Sequence, residues 1–212
     1  MRRSPAEIIR EYGPFPGVDQ VGGVTYDGEH VWIAAGETLD AFDPGSGERV
    51  RSIDVAAQAG TAFDGRYLFQ IAGDRIQKID PTTGQVITTI PTPGGGESGL
   101  AWAEGTLWVG RYRDRKIHQI DPETGAILRT IESNRFVTGV TWVDGELWHA
   151  TWEEDASDLR RIDPGTGEVL EQVDMPPGVG VSGLESDGGD RFYCGGGKSA
   201  KVRAVRRPVR RV

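Results

Sequence analysis

The sequence predicts an all-β protein, a five-bladed β-propeller of four-stranded antiparallel blades whose last blade is closed by the N-terminal strand. One unit recurs five times with a period of about 40 residues, which is typical of repeat architectures. Each unit holds short strands that alternate with period two and shows no helical period. The fifth unit lacks a fourth strand, and a strand-like segment stands at the opposite end of the chain.

Each unit opens with a glycine-led apolar strand followed by an acidic-glycine turn. Asp-Gly supplies the positive φ angles of a tight hairpin, so each pair predicts a reversal into a second strand. The first strands with their turns are 23–28, 60–65, 99–105, 139–145 and 183–188. The second strands carry an aromatic residue at a matched position, which predicts a core between neighbouring blades: Trp32, Phe69, Trp108, Trp148 and Tyr193.

The third strands of the first four units end in Asp-Pro and a glycine-containing turn. Proline cannot donate to a sheet ladder, so it marks the end of the strand. Fourth strands follow at 49–55, 85–90, 126–131 and 168–173. The fifth unit reaches residue 205 without one, and segment 6–12 precedes the first blade as a fourth strand would. We expect this segment to complete the last blade and remove its open edge, with an N-terminal helix as the alternative.

These boundaries predict one domain over residues 1–205 and a basic, flexible tail over 206–212. The last ten residues are rich in arginine and could contact an anionic partner, although a solvated tail is the expectation. The formal net charge of −8 argues against general nucleic-acid binding. No stretch approaches the roughly 18 apolar residues of a membrane span, and no signal region opens the chain, so a cytoplasmic location is expected. Cys194 is the single cysteine and is expected to be small and buried.

Blade topology separates the loops onto two faces. The uniform face carries the Asp-Gly and Asp-Pro turns, whereas the variable face carries the links from second to third strands and from each fourth strand to the next blade. Specificity is expected on the variable face, because its loops differ from blade to blade. The candidate catalytic residues there are Glu97, Trp152 and Lys198. The candidate ligand-binding residues are Ser98, Arg111, Tyr112, Thr138, Glu153 and Ser182.

Each candidate has a chemical reason. Tyr112 and Trp152 could flank a flat or cationic group by stacking, or could simply cover the rim. The carboxylates could act as acids or bases. His30, His118 and His149 lie on three different blades without metal-ligand spacing, and small residues before the blade glycines predict a narrow axial mouth, so no metal is expected. No cofactor motif, such as a phosphate-binding glycine loop, is recognised.

The blade pattern resembles the glutamine cyclotransferase family, five-bladed propellers that convert N-terminal glutamine to pyroglutamate with release of ammonia. The resemblance is clearest over 138–152, which ends in Trp152, and at Gly197 and Lys198. It implies an acid directly before an early Gly-Leu, where this sequence has Ser98 and places Glu97 one residue away. A one-residue offset in a regular strand would turn Glu97 to the other face. Quinoprotein-like propellers with the YVTN type of repeat, and streptogramin lyases, share the generic part of the pattern.

Three functions remain open from the sequence. The first is binding of a small molecule or peptide end on the variable face. The second is an enzyme of glutaminyl-peptide cyclotransferase or lyase type. The third is a protein-interaction platform that uses the same face and a protein partner. No membrane partner is expected.

Overall fold

The computed structural model describes residues 1–209, and over this range the chain forms 21 β-strands in five sheets. Blade I consists of β3 (Gly23–Tyr26), β4 (Val31–Ala34), β5 (Gly36–Phe42) and β6 (Arg49–Ala57). Blade II consists of β7 (Thr61–Phe63), β8 (Leu68–Ala72), β9 (Arg75–Ile79) and β10 (Val86–Pro91). Blade III consists of β11 (Glu97–Ala103), β12 (Thr106–Arg111), β13 (Lys116–Ile120) and β14 (Ile127–Glu132).

Blade IV consists of β15 (Val137–Val143), β16 (Glu146–Glu153), β17 (Ala156–Ile162) and β18 (Val169–Asp174), with β1 (Arg2–Pro5) added outside β18. Blade V consists of β19 (Gly183–Ser186), β20 (Arg191–Gly195), β21 (Val202–Arg206) and β2 (Ile8–Tyr12). Neighbouring strands within each four-stranded blade pair antiparallel in sequence order, except that β2 returns from the N-terminus to pair with β21. The predicted five-bladed ring and its closure by segment 6–12 are confirmed, and the helical alternative for that segment is wrong.

The first strand of the chain is an element that the sequence did not predict. Strand β1 runs parallel to β18, with Arg2 opposite Glu171 and Pro5 opposite Asp174. A four-residue strand has too little periodicity to be recognised, and its partner lies about 170 residues away in sequence. Blade IV therefore has five strands, and the N-terminal 12 residues tie blades IV and V together.

The aromatic residues of the second strands form the core, as predicted. Trp108 and Trp148 are each 1% exposed, and Tyr193 is 2% exposed. Aromatic rings of the next blade pack against both tryptophans: the ring of Trp142 lies 5.7 Å from that of Trp108 and nearly parallel to it, and the ring of Phe192 lies 5.0 Å from that of Trp148. Each pair joins two blades and so stabilises the ring.

Five glycines close the axis of the propeller, one at the start of each blade: Gly23, Gly60, Gly99, Gly139 and Gly183. A Cβ on Gly60 would lie 2.5 Å from the backbone nitrogen of Leu100, and one on Gly99 would lie 2.8 Å from the carbonyl carbon of Gly139. Only glycine allows the backbones to approach this closely. The space between them is too narrow for a water molecule.

The C-terminal residues correct part of the predicted tail. Arg206 ends β21 and its guanidinium pairs with Glu7 and Asp190, while Arg207 is 8% exposed and pairs with Asp144. These carboxylates come from distant loops, which is why the sequence did not reveal them. The expectation for residues 210–212 lies outside the described residues. Within residues 1–209, no helix has the length and apolarity needed to cross a membrane.

Candidate functional site

The variable face carries a continuous series of contacts from blade III to blade V, called the arc below. It runs from Glu97 through Arg111, Tyr112 and Trp152 to Gly197 and Lys198. Glu97 stands at its beginning and is 8% exposed. Its Oε1 accepts a hydrogen bond of 2.9 Å from the backbone N–H of Gly95, but its Oε2 is buried without a hydrogen-bond partner. Pairing of β11 with β12 is interrupted between Glu97 and Leu100, so the strict alternation expected for a regular strand does not apply to Glu97 and Ser98.

Arg111 holds the loop that covers Glu97. Its Nη1 donates to the carbonyl of Pro93 at 3.0 Å and its Nη2 to that of Gly95 at 2.8 Å, while Asp114 pairs with the same guanidinium at 2.7 Å. Three glycines with positive φ, at 94 to 96, let the loop fold tightly over these groups. The guanidinium is therefore occupied mainly by the loop, and its buried Nε is without a hydrogen-bond partner.

Tyr112 and Trp152 lie close together but do not form two facing walls. The Tyr112 ring packs against Phe136 with centroids 4.7 Å apart, and its hydroxyl donates to the Trp152 carbonyl at 3.4 Å. The guanidinium of Arg115 lies over the Phe136 ring, with its Cζ 4.6 Å from the ring centroid. Tyr112 and Phe136 thus join blades III and IV. Phe136 could not be predicted as part of this contact, because it lies in a loop without hydrophobic periodicity.

The indole of Trp152 lies against two glycine backbones. A Cβ on Gly180 would lie 2.5 Å from Cε2 and Cη2 of the indole, and one on Gly197 would lie 3.0 Å from Cζ3. The indole Nε1 donates to the carbonyl of Glu154 at 3.2 Å. Gly197 directly precedes Lys198 in the chain, and Lys198 is exposed.

The hydroxyl residues before the blade glycines differ in their roles. Ser98 donates to the carbonyl of Val137 at 2.6 Å, and Ser182 donates to that of Val21 at 2.5 Å, so both hydroxyls link adjacent blades. Ser182 also accepts from the backbone N–H of Gly197 at 2.9 Å. Thr138 is 5% exposed, and its hydroxyl has no hydrogen-bond partner.

Glu153 belongs to a network of ion pairs between the loops of blades III and IV. Arg115 pairs with Glu153 at 2.5 Å, and Arg135 lies 3.7 Å from its other oxygen. Arg135 also approaches the buried Asp158, which accepts from Arg160 at 2.6 Å. These contacts fix the loops of blades III and IV.

Buried polar atoms without a partner concentrate on the variable face. Eight such side-chain atoms occur among the described residues, and four of them lie in or beside the arc. They are Glu97 Oε2, Arg111 Nε, Arg135 Nε and Thr138 Oγ1. Since native structures satisfy nearly all buried polar groups, a concentration of exceptions indicates a place where another molecule could supply the missing partners.

The uniform face contains a carboxyl group that the sequence reasoning overlooked. Glu185 on β19 stands two residues after a ring glycine, where the other blades have threonine or alanine. Burial raises the pKa of its carboxyl to about 7, although hydrogen bonds from Thr141 and Thr25 act in the opposite direction. Comparison of the five units at this position would have revealed it.

Two further residues, His149 and Cys194, are buried inside the protein. Burial lowers the pKa of His149 to about 4, so its imidazole is neutral at physiological pH. Burial raises the pKa of the Cys194 thiol to about 12, which makes this buried residue unreactive, as expected. Over residues 1–209, no group of three or more His, Cys, Asp or Glu side chains could hold a metal ion.

Two cavities lie at blade IV. One of about 380 Å³ lies beside blade IV and is lined by His149, Asn134 and Val169 among others. The second, of about 360 Å³, is lined by residues such as Arg135, Asp158 and Asp174.

Comparisons with known proteins agree with the fold. A family model described as outer membrane protein assembly factor BamB matches residues 72–208. The structure of a glutaminyl cyclase from Myxococcus xanthus is similar with a TM-score of 0.79 and 21% identity, over 97% of each chain. A hydrazine synthase from Kuenenia stuttgartiensis is similar with a TM-score of 0.54 and 19% identity, over 84% of this chain and 55% of that one. No curated protein sequence gives a significant match.

Proposed function

Because this chain belongs to the family described as outer membrane protein assembly factor BamB and folds as a closed five-bladed ring, we propose that it binds a small molecule or a peptide end on its variable face. One observation carries the proposal. Buried polar atoms without partners cluster at the start of blades III and IV, and a ligand that hydrogen-bonds to them would recover the cost of their burial.

The chemistry of the arc favours a ligand with a donor group beside a flat apolar part. When Glu97 is ionised, its Oε2 can only accept hydrogen bonds, whereas the hydroxyl of Thr138 can both donate and accept them. The indole of Trp152 offers an apolar surface, and the exposed Lys198 could pair with an anionic group. A peptide N-terminus or an amino acid combines these features. Such a ligand reaches Oε2 only when the glycine loop over Glu97 moves, because that atom is covered.

A thermal-shift experiment with free amino acids and dipeptides tests this proposal. A ligand selective for the folded state raises the melting temperature, by about 5 °C or more at 100 times its Kd for a chain of this size. The shift should disappear in Glu97→Gln and Thr138→Val and persist in Glu123→Gln, which changes a turn on the uniform face. A shift that survives both arc variants would place the ligand elsewhere.

The second candidate is a glutaminyl-peptide cyclotransferase-like enzyme. It is favoured by the fold similarity to the glutaminyl cyclase over nearly the whole chain and by the arc that joins Glu97, Trp152 and Lys198. In this proposal Glu97 would move a proton between the α-amine and the leaving amide nitrogen. Cyclisation of a glutaminyl peptide that is lost in Glu97→Gln and Trp152→Ala supports it. The same rate in both variants would contradict this assignment of residues.

The third candidate is a protein-interaction platform. It is favoured by the family description, which names an assembly factor. Here the exposed Lys198 and the Trp152 edge would contact the partner. Affinity capture that returns one stable protein, lost on Trp152→Ala, together with no shift from the amino acids and dipeptides, would favour this candidate over the first two.

A further inference from the structure

One carboxyl group joins three blades at the axis of the propeller. Glu185 Oε1 accepts from the hydroxyl of Thr141 at 2.5 Å and from the N–H of Ser186 at 2.9 Å. Its Oε2 accepts from the hydroxyl of Thr25 at 2.7 Å. Thr141 belongs to blade IV and Thr25 to blade I, the two neighbours of blade V. Glu185 therefore bridges both interfaces of the blade that the N-terminal strand completes.

The position of Glu185 in its strand places it in the axial channel. Side chains two residues apart in a strand point the same way, so the residues two after the ring glycines line the axis below the ring. They are Thr25, Ala62, Ala101, Thr141 and Glu185. Both threonines are fully buried, while Glu185 is partly exposed. Because water cannot pass the glycine ring, solvent must reach the carboxyl from the uniform face.

Titratable groups on the strands packed against β19 give the carboxylate no counter-charge among residues 1–209. Tyr26 on β3 and Tyr193 on β20 have pKa values raised by burial, so both phenols are neutral between pH 5 and 8. His149 on β16 is neutral there as well. Strand β15 carries no charged residue.

The other charged groups around β19 are engaged away from the axis. Asp27 after β3 accepts from the indole of Trp32, and Asp187 after β19 pairs with Arg191 of β20. The charged residues of the remaining packed strands, β11 and β16, have partners of their own: Glu97 with the N–H of Gly95, Glu146 with Arg161, and Glu153 with Arg115. The carboxyl thus faces neutral donors alone.

We propose that Glu185 is a proton-dependent clasp, which holds blade V between blades I and IV more tightly when its carboxyl is protonated than when it is charged. In the charged state, only neutral donors, the hydroxyls of Thr25 and Thr141 and backbone N–H groups, compensate the partial burial of the carboxylate. In the neutral state this cost disappears, and the threonine hydroxyls rotate so that the carboxyl can still bridge the blades. Closure of the ring therefore loosens as the proton leaves.

Urea unfolding of the wild type and Glu185→Gln at pH 5, 6, 7 and 8 tests the clasp. Glutamine keeps the shape and the bridging oxygen without the charge. Folding raises the pKa of the Glu185 carboxyl from 4.5 to about 7, so the bound proton stabilises the native state. This stabilisation is lost as the pH rises from 4.5 to about 7. The unfolding constant of the wild type relative to the variant should grow by about 100-fold between pH 5 and 8. A ratio that is independent of pH would overturn the proposal.

Two further measurements keep the proposal testable if Glu185→Gln does not fold. In the wild type, a glutamate carboxyl observed by ¹³C NMR should titrate with a midpoint near 7; absence of any midpoint above 5.5 overturns the proposal. Thr25→Val and Thr141→Val each remove a donor to the charged form and should move that midpoint upward. Thr61→Val is the matched control, because the buried Thr61 hydroxyl has no partner.

Amide hydrogen exchange reports the closure itself. At any given pH the intrinsic exchange rates of the wild type and Glu185→Gln are the same, so a difference in their measured exchange rates reflects local opening of the structure. At pH 8 the amides of β19 and β2 should exchange faster in the wild type than in the variant, whereas at pH 5 the two proteins should agree. Equal exchange at pH 8 would show that the carboxyl titrates without any effect on blade V.

Discussion

Arg203 donates from Nε to Oε1 of Glu11 over 2.7 Å, and this pair joins the last strand of the chain to the second. Lys201 reaches the other oxygen of Glu11 at 3.2 Å. Arg206 pairs with Glu7 of the same N-terminal segment at 2.9 Å. Closure of the ring therefore combines the backbone pairing of β2 and β21 with a row of ion pairs between them.

A double-mutant cycle with Glu11→Gln and Arg203→Met should give a coupling free energy of about 0.5 to 1 kcal/mol in urea unfolding, since Glu11 is largely exposed and solvent screens the pair. Arg203 and Lys201 hold the pKa of Glu11 below its ordinary value of 4.5. The pair therefore stabilises the native state above that pH, and its contribution is lost as pH falls. Coupling that is unchanged at 1 M salt would speak against an electrostatic origin.

Replacement of Gly180 by alanine should displace the indole of Trp152. The added Cβ would overlap the ring, so the indole must move or the loop must shift, at a cost of about 1 to 3 kcal/mol. Trp152 is one of six tryptophans. Its own contribution to the fluorescence is therefore obtained by adding Trp152→Phe to the wild type and to Gly180→Ala and comparing the spectra. Gly189→Ala is the control, since its Cβ would lie 3.3 Å from one side-chain oxygen. Identical spectra for Gly180→Ala and wild type would contradict the packing.

Deletion of the two N-terminal strands should have unequal effects. Removal of residues 2–5 takes away β1 and the Arg3 contact that lowers the pKa of Asp174, but leaves every four-stranded blade complete. We expect a cooperative melting transition to remain. Removal of residues 2–12 also takes away β2 and leaves β21 as an open edge, so the folded ring should be lost. Circular dichroism melts distinguish the two. Cooperative melting of the longer deletion would show that closure by β2 is dispensable.

The buried His149 should oppose Glu185 in the dependence of stability on pH. Its pKa falls from 6.5 to about 4 on folding, so the unfolded chain binds the extra proton and stability is lost as pH decreases below 6.5. His149→Gln should therefore lose less stability than the wild type between pH 7 and 5, by about 1 to 2 kcal/mol. His30→Gln serves as the control at a partly exposed position beside a turn. Parallel curves for wild type and His149→Gln would contradict the shifted pKa.

Much of the site could not be predicted from the repeat. The candidates Tyr112 and Trp152 were recognised as variable-face residues, yet their neighbours Phe136 and Gly180 come from loops without periodicity. The alternation of a regular strand predicts that Glu97 and Ser98 face opposite sides of the sheet, but the pairing of β11 with β12 is interrupted at these residues. Loop conformation depends on contacts between blades, and those contacts join residues far apart in sequence, such as Tyr112 with Phe136 and Trp152 with Gly180.

The sequence by itself determined the number of blades and their strands, because both depend on local information. The ring closure followed from the count of strands, since the fifth unit lacks a fourth strand and the N-terminal segment supplies one. Glycine, Asp-Gly and Asp-Pro act within a few residues, and five copies of one unit reinforce the same interpretation. Only the tertiary structure decided that β1 joins blade IV, that Arg206 and Arg207 are held by distant carboxylates, and that Glu185 bridges three blades. These relationships arise when the ring closes, since closure alone brings the two ends of the chain and the five first strands together.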